Sequence, residues 1–263
     1  MKNKILIIII ILFQLLLINK LFSKEIDFQA KDIEFSDDQN LTIANDATAI
    51  IKDDGIIIKG KKIKYFKDKS LLIINNGKIL SIDKNFEIKS EIIEYKINES
   101  NLNFENNIVI NDGINNLIIN STKINYNLDE QKIVSQGYSE IFDDLNNTYK
   151  VDGFEYSIKD KVIKFNNLIA QDKDKNSFLV DLSYLDLNKK ELIAKDISMN
   201  FKLNENSENE PRLKGRSLVS DKRNTIIKKG TFTFCKKRDK CPPWEMSADE
   251  IRHDKQKKTI YYK

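Results

Sequence analysis

A rung of about thirty residues recurs six times between Lys31 and Phe201, and this period constrains the fold more than any other feature. Its anchor is an apolar residue, one spacer and an aromatic. The six anchors are Ile33-Glu34-Phe35, Ile63-Lys64-Tyr65, Ile93-Glu94-Tyr95, Ile124-Asn125-Tyr126, Phe154-Glu155-Tyr156 and Leu182-Ser183-Tyr184. Successive aromatics stand 30, 30, 31, 30 and 28 residues apart. Most anchors are followed by a short polar turn and a second apolar run. A fixed period of this length means stacked supersecondary units, none of which buries its apolar face alone.

Within each rung apolar and polar side chains alternate, as in Lys62-Ile-Lys-Tyr-Phe66 and Phe86-Glu-Ile-Lys-Ser-Glu-Ile92, which is the pattern of half-buried strands. Asp54-Gly55, Asn76-Gly77, Asp112-Gly113 and Asp152-Gly153 read as tight hairpin turns. No proline precedes Pro211, so no strand before it lacks a ladder donor, and no window carries helical periodicity. The chain reads as all-β. Stacked two-strand rungs make either a parallel β-helix or two packed sheets. Two hairpin-like runs per rung favour an antiparallel two-sheet β jelly roll of about six repeats, open at its edges, with a short β extension at the C-terminus. The twelve anchor residues (Ile33, Phe35, Ile63, Tyr65, Ile93, Tyr95, Ile124, Tyr126, Phe154, Tyr156, Leu182 and Tyr184) are expected to face inward. They form either a closed core or the lining of an apolar trough, where burial of a guest's acyl chain contributes about 0.8 kcal/mol per CH₂.

Abundant Lys, Asn and Ile suggest AT-rich coding, which discounts Ile as a strand signal but does not place aromatics at a fixed spacing. Met1-Lys-Asn-Lys4 and the apolar run Ile5–Ile18 read as a signal peptide over residues 1–23, too short for a comfortable membrane span; a retained anchor is the other reading. Without that leader the net charge is close to zero, so nothing points to nucleic acid. The charge is nevertheless split: residues 24–210 carry −9 and residues 211–263 carry +10. The expected domains are a jelly roll over 24–203, a polar linker over 204–212 and a separate segment over 213–263.

Catalytic signals are sparse. The glycines form no Gly-x-Gly and no phosphate loop, and no Gly-x-Ser-x-Gly elbow presents a nucleophile to His253, the sole histidine. Asp37-Asp38, Asp53-Asp54 and Asp143-Asp144 read as solvated turn acids rather than a glycosidase pair. Cys235 and Cys241 could bridge locally, pair elsewhere or stay free; with one histidine they make at most three metal ligands, at the wrong spacing. No metal and no cofactor is expected. Trp244, behind Pro242-Pro243, reads as an interior plug. An enzymatic alternative, a parallel β-helix acting on polysaccharide, needs acids converging from adjacent rungs, whereas the anchors converge apolar groups.

The rung resembles the OstA-like periplasmic jelly rolls of the lipopolysaccharide transport system. The tail, with Phe232-Thr-Phe-Cys235, Pro243-Trp244, Ala248-Asp249-Glu250-Ile251 and Ile260-Tyr261-Tyr262, is similar to the segment that joins such a domain to the β-barrel in the LptD family. The resemblance implies a non-enzymatic transport scaffold that shields lipopolysaccharide acyl chains, passes them to an outer-membrane translocon and docks by edge strands onto another OstA-like domain; the alternative is a standalone periplasmic bridge protein of the same pathway, against which the Cys235–Trp244 segment argues. The resemblance also implies a barrel and plug lipoprotein as partners, a periplasmic location at the outer membrane, and disulfides from Cys235 and Cys241 that tie roll to barrel. The barrel sequence itself is not present in these residues, so barrel insertion does not carry over.

Overall fold

A computed structural model describes residues 24–82, 85–171, 177–200, 211–234 and 244–263. The leader, residues 204–210 of the expected linker, and both Cys235 and Cys241 lie outside the described residues. Among the described residues nineteen strands join into one antiparallel sheet, interrupted by a single 3₁₀ turn at Ile97–Glu99. The strands are β1 (Asp27–Gln29), β2 (Asp32–Phe35), β3 (Leu41–Ile51), β4 (Ile56–Phe66), β5 (Leu71–Ser81), β6 (Phe86–Lys96), β7 (Asn101–Asp112) and β8 (Leu117–Asn127). They continue as β9 (Lys132–Ser135), β10 (Ser139–Phe142), β11 (Thr148–Val151), β12 (Gly153–Ser157), β13 (Val162–Gln171), β14 (Ser177–Asp186) and β15 (Glu191–Asn200). Last come β16 (Arg212–Ser220), β17 (Asn224–Thr233), β18 (Met246–Asp254) and β19 (Thr259–Tyr262).

The sheet becomes a jelly roll because its long strands bend at a shared line. In β3, Thr42 and Ala44 point inward, Asp46 is exposed in the left-handed region at φ 45°, and Ala47, Ala49 and Ile51 point inward again. Strict alternation would turn Ala47 outward; one extra residue at Asp46 keeps a single face inward on both sides of the bend. The same three-residue step separates Gly60 from Ile63, Ile74 from Gly77, Ser90 from Ile93, Phe165 from Leu168, Val180 from Ser183 and Ala194 from Ile197. Ladder pairing skips Asp46, Lys61 and Asn76 there, and the register shifts between β6 and β7 and between β7 and β8. Asn76, Asn106, Asn107, Asn167 and Asp196 hold positive φ at this crease, a conformation that short polar side chains tolerate better than β-branched ones. β9 and β10 pair with the two halves of β8, and β12 and β11 with the two halves of β13, so each couple is one bent strand broken at the crease.

We call the layer next to the turns at 52–55 and 113–116 the upper layer. The lower layer lies next to the turns at 36–40, 67–70, 97–100, 128–131, 158–161 and 187–190. Along the lower rim each turn is stitched to the preceding one: the N–H groups of Lys67, Ile97, Leu128, Ile158 and Leu187 donate to the carbonyls of Asn40, Ser70, Ser100, Gln131 and Lys161, each at 2.9 Å. Every anchor lies just before one of these turns. The thirty-residue period is therefore the length of chain that climbs to the upper rim and returns by one bent hairpin.

One apolar cluster runs through the roll from Ala44 to Ile251. It crosses the expected domain boundary: β15 pairs with β16 from Leu192↔Ser220 to Asn200↔Arg212, and Leu213, Leu218, Ile227 and Ile251 join the same core. Strands β16 to β19 thus continue the same sheet. The aromatic anchor is lost there, but the crease step survives, with Leu213 and Gly215 followed by Leu218. Two of the four expected hairpin turns also differ. Asp54-Gly55 and Asp112-Gly113 sit at upper-rim turns, whereas Asn76-Gly77 and Asp152-Gly153 sit at the crease, where a left-handed or side-chain-free residue is needed for a different reason.

Candidate functional site

The structure gathers most of the anchors in one interior. Ile63, Ile93, Tyr95, Ile124, Phe154 and Tyr156 are buried, and Tyr65 and Tyr126 are partly buried against the same cluster. The first anchor lies at the open end of the roll, where Ile33 is 41% and Phe35 63% exposed. The last anchor faces out. In β14 the crease falls at Asp181, so Ser183 and Leu185 turn inward, Leu182 is only partly covered and Tyr184 is 41% exposed. Tyr184 pairs on the outer face with Ile193, which pairs with Val219.

Opposite the crease the two layers meet along a mouth, and the repeated tyrosines close it. Each of Tyr65, Tyr95, Tyr126 and Tyr156 in the lower layer reaches an upper-layer partner, alternately a ring and a carboxylate. Tyr65 lies against Phe28 and Tyr126 against Phe86, each pair with ring centroids 6.1 Å apart. The Tyr95 hydroxyl donates to Asp54, and the Tyr156 hydroxyl donates to Asp112 at 2.5 Å. Asn115 donates to both Tyr156 and Asp112 at 2.8 Å, and Lys24 donates to Asp54 at 2.6 Å and to Ser100 at 2.7 Å. Burial, reinforced by the neighbouring carboxylates, holds the Tyr95 and Tyr156 hydroxyls far above the ordinary tyrosine range, so both remain neutral donors. Burial alone pushes Tyr126 up to about 12.

The sequence reading missed this set. Asp54 was expected at a solvated turn, yet its side chain is only 4% exposed, and Asp112 is 1% exposed. Both are turn acids in sequence; their partners stand 41 and 44 residues away, beyond the reach of local pattern. A third pair, Tyr149 to Asp143 at 2.9 Å, stays within one upper-rim turn.

At the N-terminal end the interior opens into a cavity of about 250 Å³ lined by Ile26, Phe28, Ile33, Phe35 and Tyr65, with Lys24 and Lys67 at its edge. Apolar walls with cations at the rim suit a ligand with an acyl chain and an anionic head. Trp244 is not an interior plug: it is 49% exposed and leans on Phe232 at 6.4 Å. His253 is partly buried in β18, opposite Thr225 and Ile260. Among the described residues no cluster of His, Cys, Asp and Glu could hold a metal ion, and no helix is long and apolar enough to cross a membrane.

A family model described as lipopolysaccharide-assembly, LptC-related, matches residues 5–169. The match stops short of the Cys235–Trp244 block that carries the likeness to the LptD segment. No curated protein sequence matches. Among solved structures the chain is similar to LptH of Pseudomonas aeruginosa, described as the LptA-homologous periplasmic component of the conserved lipopolysaccharide transport device. That likeness has 11% identity and a TM-score of 0.24, covering 54% of this chain and 82% of that one, and it carries no argument on function. The family is one of transport proteins without catalytic activity. With more than half of its residues matched, the chain belongs to the LptC-related family of lipopolysaccharide-assembly proteins.

Proposed function

We propose that this protein is a periplasmic bridge component of lipopolysaccharide transport, holding acyl chains between its two layers while the sugars stay in water. The observation that carries this reading is the single apolar interior, continuous from Ala44 to Ile251, that opens at the N-terminal end into the cavity lined by Phe28, Phe35 and Tyr65. The work of moving lipid comes from elsewhere, as membership of a non-catalytic transport family supports. The roll docks onto another OstA-like domain through its sheet edges: β1 and β2 at one end, β19 at the other, each with unpaired backbone groups. Lipopolysaccharide and that neighbouring domain are its proposed partners. The run Ile5–Ile18 is either removed on export or kept as an anchor; either way the roll works in the periplasm.

Photo-crosslinking tests this. A photoreactive residue in place of Phe35, Tyr65 or Tyr126 captures lipopolysaccharide, and one at Lys64 or Glu94, on the outer face, does not. Capture at the outer positions alone sinks the reading. A second reading, the periplasmic part of an LptD translocon with its barrel and plug lipoprotein, is supported by the Phe232–Trp244 and Ala248–Ile251 motifs. It is favoured if Cys235 or Cys241 is recovered in a disulfide to a barrel, and abandoned if the two are found joined to each other.

A further inference from the structure

We propose that the Tyr95–Asp54 and Tyr156–Asp112 hydrogen bonds are latches that hold the roll shut, so that an acyl chain gains the deep interior sideways, through the mouth, once they part. This rests on the lipid-carrying reading above and adds a route and a control to it.

The first argument is space. Beyond the N-terminal cavity the interior is filled by the protein's own side chains: Phe104, Phe154, Phe165, Tyr95 and Tyr156 are at most 1% exposed. A chain inserted there has to displace packed groups, and a well-packed core has no room to spare. The layers must therefore separate along one side.

The second argument is which side yields. At the crease the layers are joined by the covalent chain of every bent strand. Along the lower rim the turn-to-turn hydrogen bonds lie within one layer and survive separation. Among the described residues the mouth is held by side chains. Two of its contacts are ring pairs, Phe28–Tyr65 and Phe86–Tyr126, which can slide and still touch. The rest are directional: the Tyr95–Asp54 and Tyr156–Asp112 bonds to buried carboxylates, which are either made or lost, supported by Asn115 on Tyr156, by Lys24 between Asp54 and Ser100, and by the more exposed Lys190–Asp144 ion pair.

The third argument is placement. Asp54 also receives Lys24, and Asp112 also receives Asn115, so each carboxylate is held by groups from the opposite layer or its own turn and stays satisfied without water. Neutral aromatic pairs alone would close an apolar mouth. A buried carboxylate at alternate rungs makes closure two-state, with an open fraction set by a few hydrogen bonds.

The apparent affinity and uptake rate for a guest scale with the open fraction. Removing one latch hydroxyl should therefore raise uptake about ten-fold, the effect expected from the loss of one hydrogen bond to a charged group. The probe is cis-parinaric acid, a fatty acid that fluoresces in apolar surroundings, mixed with the full chain by stopped flow. We expect Tyr95→Phe and Tyr156→Phe each to take it up faster than wild type, and Tyr184→Phe, the outward member of the same repeat, to match wild type. Uptake at equal rates in all four proteins overturns the latches and leaves the lipid-carrying reading standing; no uptake in any of them overturns both. A second measurement needs no variant. In the wild type loaded with parinaric acid, amide exchange should rise at the upper turns 52–55 and 113–116 while the crease stays protected. Unchanged exchange at those turns in the loaded protein overturns the proposal.

Discussion

Gly77 shows how narrow the inside of the crease is. It pairs with Gly60 across β4 and β5, and a Cβ there would strike the Ile74 Cγ2 methyl and come within 2.7 Å of the Lys59 carbonyl oxygen. Backbone cannot swing aside, so Gly77→Ala should cost about 1–3 kcal/mol, read as a lower urea midpoint at unchanged slope. Gly137 is the comparison: its Cβ would meet only the Thr122 hydroxyl at 2.7 Å, a side-chain end that can turn away, and Gly137→Ala should cost less. The tyrosines set a different limit. Burial raises Tyr126 to about 12, above the value near 10 that it has in the unfolded chain. The neutral form is thus favoured by folding, and its contribution is full below pH ~10 and lost as pH rises through about 12. Tyr126→Phe should flatten the alkaline limb of the stability curve between those values, by up to about 1.4 kcal/mol per pH unit. A limb of unchanged slope would show that Tyr126 ionises alike in both states.

At the scale of the strand, the crease decides what was legible in the sequence. Strand character, the all-β class and the repeat were readable because alternation and spacing are local or periodic properties. The bend was not, because its marker is a polar residue at a single position, and Asn76-Gly77 or Asp152-Gly153 in isolation looks like a hairpin turn. The error propagates. Val180, Leu182 and Tyr184 share one face under strict alternation, but the extra residue at the β14 crease hands the interior to Ser183 and Leu185. The latch acids were invisible for the complementary reason: Asp54 and Asp112 stand at turns, and only the folding of the upper layer over the lower brings Tyr95 and Tyr156 to them. Conformation at the crease is testable. Asp196 holds φ at 52°, which a β-branched side chain resists. Asp196→Val should destabilise by about 1–2 kcal/mol, whereas Asp196→Gly should be neutral or slightly stabilising. Equal costs for the two would mean that the carboxylate rather than the backbone matters there.

Over the whole molecule, a sheet built of stacked bent hairpins has neighbours only on either side, so stability should be a sum of local units and their interfaces rather than one global quantity. β3 to β13 hold the fully enclosed core, while β2 and β19 are exposed along their length. The last four strands matter locally: Leu213 and Leu218 lie on β16, which pairs with the β15 residues Met199 and Ala194. A chain ended at Asn200 would bare β15, a ten-residue strand carrying Ala194, Ile197 and Met199, as an unprotected edge. In such a chain, amide exchange should accelerate at β13 to β15 and stay unchanged at β4 to β7, some seven strands away. The shortened protein should also associate with itself more readily, since a bared apolar edge is what a second sheet pairs with. If protection instead fell evenly from β3 to β15, the roll would be one cooperative block. The mouth could then not part over a few rungs without unfolding the rest, so the same measurement bears on whether lipid can be admitted sideways at all.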